Sequence, residues 1–391
     1  MTAFPLRHGA FIAPFHAIED SPTIALRRDL ELAVLLDQLG YHEVWYGEHH
    51  SLGFEIISSP ELMIAAAIEM TKRIRIGTGV ISLSYHNPLM VANRITQLDH
   101  MAMGRAMFGF GPGMLPTDAN MMGIDSLKQR DMMAESLDAI IKLVRGETVT
   151  SKGAWFTLNN ARVHLFPYSQ PSPELVVASA VTPSGGMIAG KYGIGMLCVA
   201  ATQEGSYAKL GTNWEVAKRV AADSNQTMRP EALRLVGPMH IAETREQARQ
   251  NVRFGVEKWL TYMGLVRPLG AKPIVPPGED PVDAMMRTGY AVVGTPDDAI
   301  VQLERLSKQQ GQFGAFLHLA TDWANWEATK QSYELYARFV VPRFNNTNRF
   351  REASYEELQA NSVDLMAARQ AGDSVAFAKW EEKKKEMAEK S

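Results

Sequence analysis

The fold prediction rests on the stretch Val44-Trp45-Tyr46-Gly47-Glu48-His49-His50. Its apolar half is typical of a short buried strand, which ends at Gly47. A carboxylate and two imidazoles follow where the strand becomes a loop, and loops on a rigid scaffold commonly carry binding and catalytic side chains. A helix that begins at Ser21-Pro22 and ends at Gly40 precedes this strand, and another helix at 61–70 follows it.

The order of a strand followed by a helix repeats along most of the chain. Apolar runs predict strands at 9–13, 43–46, 74–81, 106–110, 175–178, 195–199, 233–241 and 314–318. Continuous apolar strands that alternate with helices indicate a parallel sheet buried on both faces. These eight units predict an α/β fold of the (β/α)8 TIM-barrel type, with a small antiparallel excursion at 148–164. An open doubly wound sheet is the weaker alternative because its edges would be exposed.

The domain organisation follows from this repeat. Residues 1–342 are predicted to form the barrel, and residues 343–391 a charged helical C-terminal extension. Ser126 is predicted to cap the helix that ends at Gly146. The segment 264–290 holds five prolines and is predicted to be a loop insertion, either a lid over the site or a solvated segment without a role.

Composition narrows the class of protein. The 391 residues are 46% hydrophobic and carry a formal net charge of −3, so the chain lacks the basic surface that binding to nucleic acid or an anionic membrane requires. The single cysteine, Cys198, lies in an apolar run, which fits a reducing cytoplasm and excludes a disulfide framework. The N-terminus lacks a leader pattern and no apolar run has membrane length, so a cytoplasmic protein is predicted.

In a (β/α)8 barrel the carboxyl ends of the strands form the working face. The groups predicted to converge there are Phe15-His16, Glu48-His49-His50, 79–85, 111–113, 179–186 and His318. His49 and His50 would point to opposite sides of a strand, and no zinc-type spacing adds ligands, so a metal site is disfavoured. A near-neutral imidazole beside Glu48 could instead act as a general base. Structural histidines satisfied by backbone are the alternative, more so for His50 than for His49.

Two glycine-containing stretches have the form of phosphate loops. Thr182-Pro183-Ser184-Gly185-Gly186 lies between a strand and a helix, and it is either a phosphate cradle or a plain N-cap. Gly109-x-Gly111-x-Gly113 is similar to a dinucleotide loop. Pro116 follows too soon to leave room for the required helix, and the Rossmann interpretation is rejected.

Several motifs together resemble those of a known family, the bacterial luciferase-like flavin-dependent monooxygenases. They are Glu48-His49-His50, Ile76-Gly77-Thr78-Gly79-Val80, His86-Asn87-Pro88, Leu98-Asp99, Gly104-Arg105 and Val292-Val293-Gly294-Thr295-Pro296-Asp297-Asp298-Ala299. The motifs keep the order and spacing of the family over roughly residues 8–342. The stretches at 11–16 and 184–186 are most similar to the limonene-monooxygenase-like branch.

The resemblance implies a barrel that binds FMN at its C-terminal face and works as a homodimer. A separate NAD(P)H-dependent flavin reductase would supply the reduced FMN. Oxygen would form a C4a-peroxyflavin, which oxygenates a small hydrophobic substrate such as a terpene, ketone or alkyl compound. The alternatives are a deazaflavin-dependent dehydrogenase on the same barrel and a non-catalytic flavin-binding protein.

The resemblance also assigns roles to residues. His49 would be a general base or a stabiliser of the peroxyflavin, with Glu48 and His50 as its supports. Gly79-Val80 matches a strand bulge, often with a cis peptide bond, that supports the flavin ring. The residues that fall where the family contacts the ribityl chain and phosphate are Ala178, Ser179, Ser184 and Gly185.

A dry substrate pocket is expected beside the flavin, because the oxygenating species must be kept from water. Its predicted lining is Phe15, Phe54, Phe110 and Met114, with Arg287 reaching inward from the segment 264–290. Pro112 stands where luciferase itself has an arginine, which argues against aldehyde-luciferase activity and against the same phosphate contacts.

Overall fold

The computed structural model describes residues 4–13, 15–266 and 272–389. The chain divides into two compact units, Met1–Asn345 and Asn346–Ser391. The second unit contains one helix of 41 residues, and none of its residues is buried. In the part of the chain that the structure describes, no helix combines the length and apolar character needed to cross a membrane.

The first unit is built on a closed ring of parallel strands. The strands in chain order are β1 (Arg7–Ile12), β2 (Glu43–Tyr46), β3 (Arg75–Ser82), β4 (Ala106–Gly111), β5 (Val149–Lys152), β6 (Thr157–Ala161), β7 (Glu174–Ser179), β8 (Gly195–Cys198), β9 (Leu233–Ile241), β10 (Val292–Gly294) and β11 (Ala315–Ala320). The ring runs β1-β2-β3-β4-β7-β8-β9-β11 and closes on β1. The predicted (β/α)8 barrel and the antiparallel excursion, here the β5–β6 hairpin, are confirmed.

Helices cover the outside of this ring. They are α1 (Pro22–Leu39), α2 (Pro60–Met70), α3 (Pro88–Met101), α4 (Pro116–Met121), α5 (Gln129–Val144), α6 (Ser184–Tyr192), α7 (Glu204–Tyr207), α8 (Leu210–Asp223), α9 (Arg245–Val252), α10 (Val256–Val266), α11 (Pro281–Thr288), α12 (Pro296–Gln310), α13 (Trp326–Phe339) and α14 (Val341–Asn345). The helix of the second unit is α15 (Arg349–Glu389). Strand β10 pairs with the far end of β9, outside the ring.

Local signals in the sequence explain most helix ends. Helix α1 begins at Pro22 after Ser21 and ends at Gly40, whose φ of 81° is left-handed. The prediction that Ser126 caps the next helix is wrong, because α5 begins only at Gln129. Asp125 forms a turn there instead, accepting hydrogen bonds from the backbone N–H groups of Leu127 and Lys128.

The prediction of a continuous loop at 264–290 is also wrong. Helix α10 reaches Val266, and α11 occupies Pro281–Thr288 after an N-cap at Asp280, whose side chain accepts from the Asp283 N–H. Pro281 therefore occupies the first helical position, where its missing N–H is no loss. Residues 267–271 of the predicted lid lie outside the described part of the chain.

The amino end of the barrel is closed by a charged plug, the five residues Arg7, Glu43, Arg75, Glu174 and Arg234. Arg234 and Glu43 are fully buried, and Nε of Arg234 lies 2.6 Å from Oε2 of Glu43. Arg7 also binds Glu43 at 2.7 Å, while Arg234 and Arg75 both bind Glu174. Apolar side chains fill the barrel above the plug, including Trp45, which lies against the Arg234 guanidinium.

Helix α6 packs tightly on α8 through a glycine contact. A Cβ atom on Gly186 would lie 2.5 Å from the backbone oxygen of Asn213. We therefore expect Gly186→Ala to lower the free energy of unfolding by about 1–3 kcal/mol, because overpacking forces the two helices apart. Gly264→Ala, in an open part of α10, is the control and should stabilise the protein by about 0.5–1 kcal/mol. Urea denaturation measures both, and equal effects would contradict the packing argument.

Candidate active site

Glu48 is the centre of a hydrogen-bond network where the loops after β2 and β3 meet. One of its oxygens, Oε1, lies 2.9 Å from His50 Nε2 and 2.8 Å from His86 Nε2. The other oxygen accepts from the Ser82 N–H at 2.8 Å. Burial opposes ionisation of Glu48, but these donors outweigh it and lower its pKa. The hydrogen bond to Glu48 in turn raises the pKa of His50. Glu48 therefore ties His50 and His86 to the end of β3.

His49 belongs to a second network, with Asp118 and Glu55. Its Nδ1 lies 3.0 Å from Asp118 Oδ2 and 3.3 Å from Glu55 Oε2, and both carboxyl side chains are buried. The other oxygen of Asp118 accepts from the His50 N–H and the Ser51 hydroxyl. Burial opposes ionisation of Asp118, but the hydrogen bonds outweigh it and lower its pKa. The imidazole is thus oriented by carboxyl groups through Nδ1.

Asp118, Glu55 and the side-chain role of His86 were not predicted from the sequence. Asp118 lies in the short helix α4, which begins at Pro116. Pro116 follows the glycines too soon for a dinucleotide-binding helix, yet proline at the first helical position followed by an acidic residue is a start signal for a short helix. Glu55 is brought back to His49 by a turn in which Leu52 and Gly53 have φ values of 68° and 73°.

The top of the barrel interior is lined by small residues at the carboxyl ends of the strands. The Gly79–Val80 peptide bond is cis, and the pairing of β3 with β4 shifts register there, so the bulge implied by the resemblance is present. A Cβ on Gly111 would lie 2.5 Å from Val80 and 3.9 Å from the Ala178 methyl group. Val80, Gly111 and Ala178 therefore form an apolar surface open toward the loops.

The start of α6 carries the remaining predicted cofactor residues. Ser184 begins the helix, and its hydroxyl lies 2.8 Å from that of Thr182. Ser179 is buried, and its hydroxyl has no oxygen or nitrogen partner among the described residues, with only the Cys198 thiol beside it. A Cβ on Gly185 would lie 2.6 Å from the Ala178 carbonyl oxygen, so only glycine allows this approach. This glycine lets the start of α6 pack closely on the end of β7. A helix start that carries hydroxyl groups suits an anion.

Phe15 and Phe54 come together as predicted for the pocket lining. Their rings stack 5.6 Å apart, and Trp259 meets Phe15 edge-on at 5.4 Å. These rings belong to a separate apolar cluster that includes Val282 and Met285 of α11. The predicted insertion is thus packed beside the aromatic rings.

Three other predicted residues lie elsewhere. Phe110 faces the helix layer, because side chains alternate along β4 and the interior positions are Met107, Gly109 and Gly111. Arg287 does not reach inward, since its side chain is 59% exposed and binds Glu279 at 2.7 Å. Met114 is 63% exposed.

His318 was predicted to end the last strand at the working face, and this is wrong. Strand β11 continues to Ala320, and the His318 ring packs 4.2 Å from the Tyr336 ring of α13. Burial lowers its pKa to about 3, so it is a neutral residue of the layer between barrel and helices.

The family model for luciferase-like monooxygenases matches residues 6–312. The chain belongs to this family. The prediction of a luciferase-like flavin-dependent monooxygenase, made from the sequence motifs, is thereby confirmed. Membership of this family implies a flavin cofactor. Within the described ranges, no three His, Cys, Asp or Glu residues are grouped to hold a metal ion.

Two curated relatives of this luciferase-like monooxygenase match it almost end to end. Limonene 1,2-monooxygenase of Rhodococcus erythropolis is 42% identical over 374 residues, which is 95% of each chain. The 4-hydroxyprotoasukamycin monooxygenase of Streptomyces nodosus subsp. asukaensis is 42% identical over 353 residues, covering 89% of this chain and 94% of its own.

A solved structure shares the fold. It is the oxygenating constituent of 3,6-diketocamphane monooxygenase from Pseudomonas putida in complex with FMN, and it aligns with a TM-score of 0.73. The alignment covers 87% of this chain and 99% of that one at 23% identity. The barrel with its insertions is therefore the architecture of this family.

Proposed function

We propose that this protein is the oxygenase component of a two-component FMN-dependent monooxygenase, and that it oxygenates a small hydrophobic molecule. The observation that carries the proposal is the position of His49, whose Nδ1 lies 3.0 Å from Asp118 and 3.3 Å from Glu55 in the loop after β2. The small-residue surface of Val80, Gly111 and Ala178 belongs to β3, β4 and β7, which follow β2 in the same ring. One oxygen atom enters the substrate and the other leaves as water. Reduced FMN, when bound, supplies the two electrons for this reaction.

The residues at the carboxyl ends of β3, β4 and β7 fit FMN. Val80, Gly111 and Ala178 would hold the flat ring because none of them projects far from the barrel. The start of α6 would bind the phosphate through its free N–H groups and the Thr182 and Ser184 hydroxyls. The buried Ser179 hydroxyl, which has no oxygen or nitrogen partner among the described residues, supports the same assignment.

His49 would hold or move the proton that the oxygenation step requires. Asp118 anchors Nδ1, so Nε2 is the nitrogen available to a ligand. No hydrogen bond to Nε2 is formed by any residue that the structure describes. Glu48 and His50 lie directly beneath and would keep the loop in place. General acid–base catalysis by a positioned imidazole contributes about 10²–10⁴-fold to a rate.

The aromatic residues near the loop after β1 would exclude water and favour an apolar substrate. Phe15 and Phe54 stack, and Trp259 and Tyr262 close around them. Apolar pockets with few polar groups select hydrophobic ligands such as terpenes, ketones or alkyl compounds. The limonene monooxygenase relative, matched over 95% of each chain, supports a terpene-like substrate.

Two protein partners belong to the proposal. A flavin reductase would deliver reduced FMN, which is consistent with a more distant relative named as the oxygenase component of a trigonelline monooxygenase. A second copy of the chain would complete a homodimer. The contact with the reductase would be transient.

A product screen tests the proposed function. Purified protein is supplied with oxygen, FMN, NADH and a flavin reductase, together with a panel of terpenes, cyclic ketones and alkyl compounds. We expect a product one oxygen atom heavier than its substrate, with the label carried over from ¹⁸O₂. Omitting FMN or replacing it with a deazaflavin should abolish the product. Substrate oxidation by the deazaflavin without oxygen would contradict the proposal and indicate a dehydrogenase.

A further inference from the structure

Glu55 is a buried carboxyl group to which no residue in the described part of the chain donates a hydrogen bond. Its side chain is 1% exposed, and Oε2 has no hydrogen-bond partner among the described residues although His49 Nδ1 lies 3.3 Å away. Buried carboxylates are normally paired or hydrogen-bonded. Glu55 therefore differs from Glu48, which has three donors, and from Asp118, which also has three.

The backbone holds Glu55 in this position from both sides. Phe15 and Glu55 form an isolated antiparallel bridge, and the His16 N–H donates to the Phe54 carbonyl at 2.6 Å. On the other side the His49 N–H donates to the Ile57 carbonyl at 3.0 Å. The turn at Leu52-Gly53 returns the chain between these contacts. The distance between Glu55 and His49 is thus set by the fold.

The carboxyl groups of Asp118 and Glu55 both approach Nδ1 of His49. Ionising the two groups together is unfavourable because their like charges repel. Asp118 is faced by His49, Ser51 and the His50 N–H, all of which favour its charged form. Glu55 is faced by His49 and by the like charge of Asp118, and burial raises its pKa to about 7. The Asp118 charge also acts on His50 and Tyr85.

We propose that Glu55 is a positioning residue for His49. It carries a proton while Asp118 is ionised, so the Nδ1–H bond of His49 points at Asp118 and Nε2 is left to accept a proton. When His49 becomes an imidazolium, Glu55 is the nearest neutral acid that can give up its own proton in response. His49 and Glu55 therefore titrate as a coupled pair. The importance of Nε2 rests on the proposed function, whereas the coupling itself does not.

The test is an NMR titration of the protein without flavin, with ¹⁵N- and ¹³C-labelled histidine. The His49 signal is assigned by its loss in His49→Gln. In the unaltered protein we expect the His49 ring signals to show two steps between about pH 5 and pH 9, the range that covers an ordinary histidine and a carboxyl group with a raised pKa. The nitrogen shifts should be those of the Nδ1–H tautomer. In Glu55→Gln, which keeps a neutral side chain of the same shape, one of the two steps should disappear.

The matched control is Glu61→Gln. Glu61 is a buried carboxylate on α2 that binds Arg94, and its replacement should leave both His49 steps in place. A single His49 step in the unaltered protein would overturn the proposal, and this measurement does not depend on the folding of Glu55→Gln. An unchanged two-step curve in Glu55→Gln would overturn it as well. Failure of the product screen with the two-step curve intact would instead count against the proposed function alone.

Discussion

Replacing His49 with alanine is expected to reduce product formation by roughly 10²–10⁴-fold, because a positioned acid–base group contributes about that much to a rate. The barrel should remain folded, since the His49 side chain is partly exposed and lies in the loop after β2. FMN affinity should stay within a few-fold, as the groups assigned to the phosphate lie on α6. Reduced flavin would still consume oxygen, with hydrogen peroxide released in place of product.

The measurement compares product and hydrogen peroxide per NADH consumed in the unaltered protein and in His49→Ala. His164→Ala, which removes an exposed histidine, is the control and should behave like the unaltered protein. Unchanged product yield in His49→Ala would show that the histidine only shapes the pocket. Loss of flavin binding in that variant would show that His49 holds the cofactor and would contradict its assignment to proton transfer.

Replacing Glu43 with glutamine is expected to lower the free energy of unfolding by about 3–5 kcal/mol, because removing one partner of a buried ion pair leaves the other charge uncompensated. Arg234 is fully buried and would keep only Glu174, whose side chain is 28% exposed. Urea denaturation followed by tryptophan fluorescence measures the change. Glu215→Gln, which breaks an exposed pair with Lys218, is the control and should cost no more than about 1 kcal/mol.

The effect of Glu43→Gln should depend on pH. Burial opposes ionisation of Glu43, but Arg234 and Arg7 outweigh it and hold its pKa well below the ordinary value. A group whose pKa is lowered by folding stabilises the protein above its unfolded pKa of about 4.3 and loses that contribution as the pH falls. The two proteins should therefore differ most at neutral pH and converge in acid. A constant difference down to pH 3 would mean that lost packing, and not lost charge, explains the variant.

The barrel could be predicted because each of its units carries the same local signals. The apolar run before Gly47 and the helix between Ser21-Pro22 and Gly40 agree with the fold without help from distant residues. The family motifs added His49 and the bulge at Gly79-Val80. These features depend on residues that are close together in the sequence, and local patterns of this kind can be recognised without a structure.

The partners of His49 could not be predicted in the same way. Asp118 is 69 residues away from His49 in the sequence, and it reaches the His49 ring because α4 begins at Pro116. Glu55 depends on a non-glycine residue, Leu52, in a left-handed conformation that no propensity indicates. The error on Phe110 was avoidable, because Gly109 and Gly111 beside it already assign the interior face of β4 to small residues.

The charged plug affects which parts of this enzyme can accept substitutions that alter its substrate. It shuts the barrel at one end, and Trp45 with its apolar neighbours fills the middle, so every ligand must enter and leave among the loops at the other end. The residues that stabilise the barrel are thus separate from those that determine substrate specificity. Laboratory evolution of the loops after β1, β2 and β4 can then explore new substrates while the barrel tolerates the destabilising substitutions that such searches accumulate.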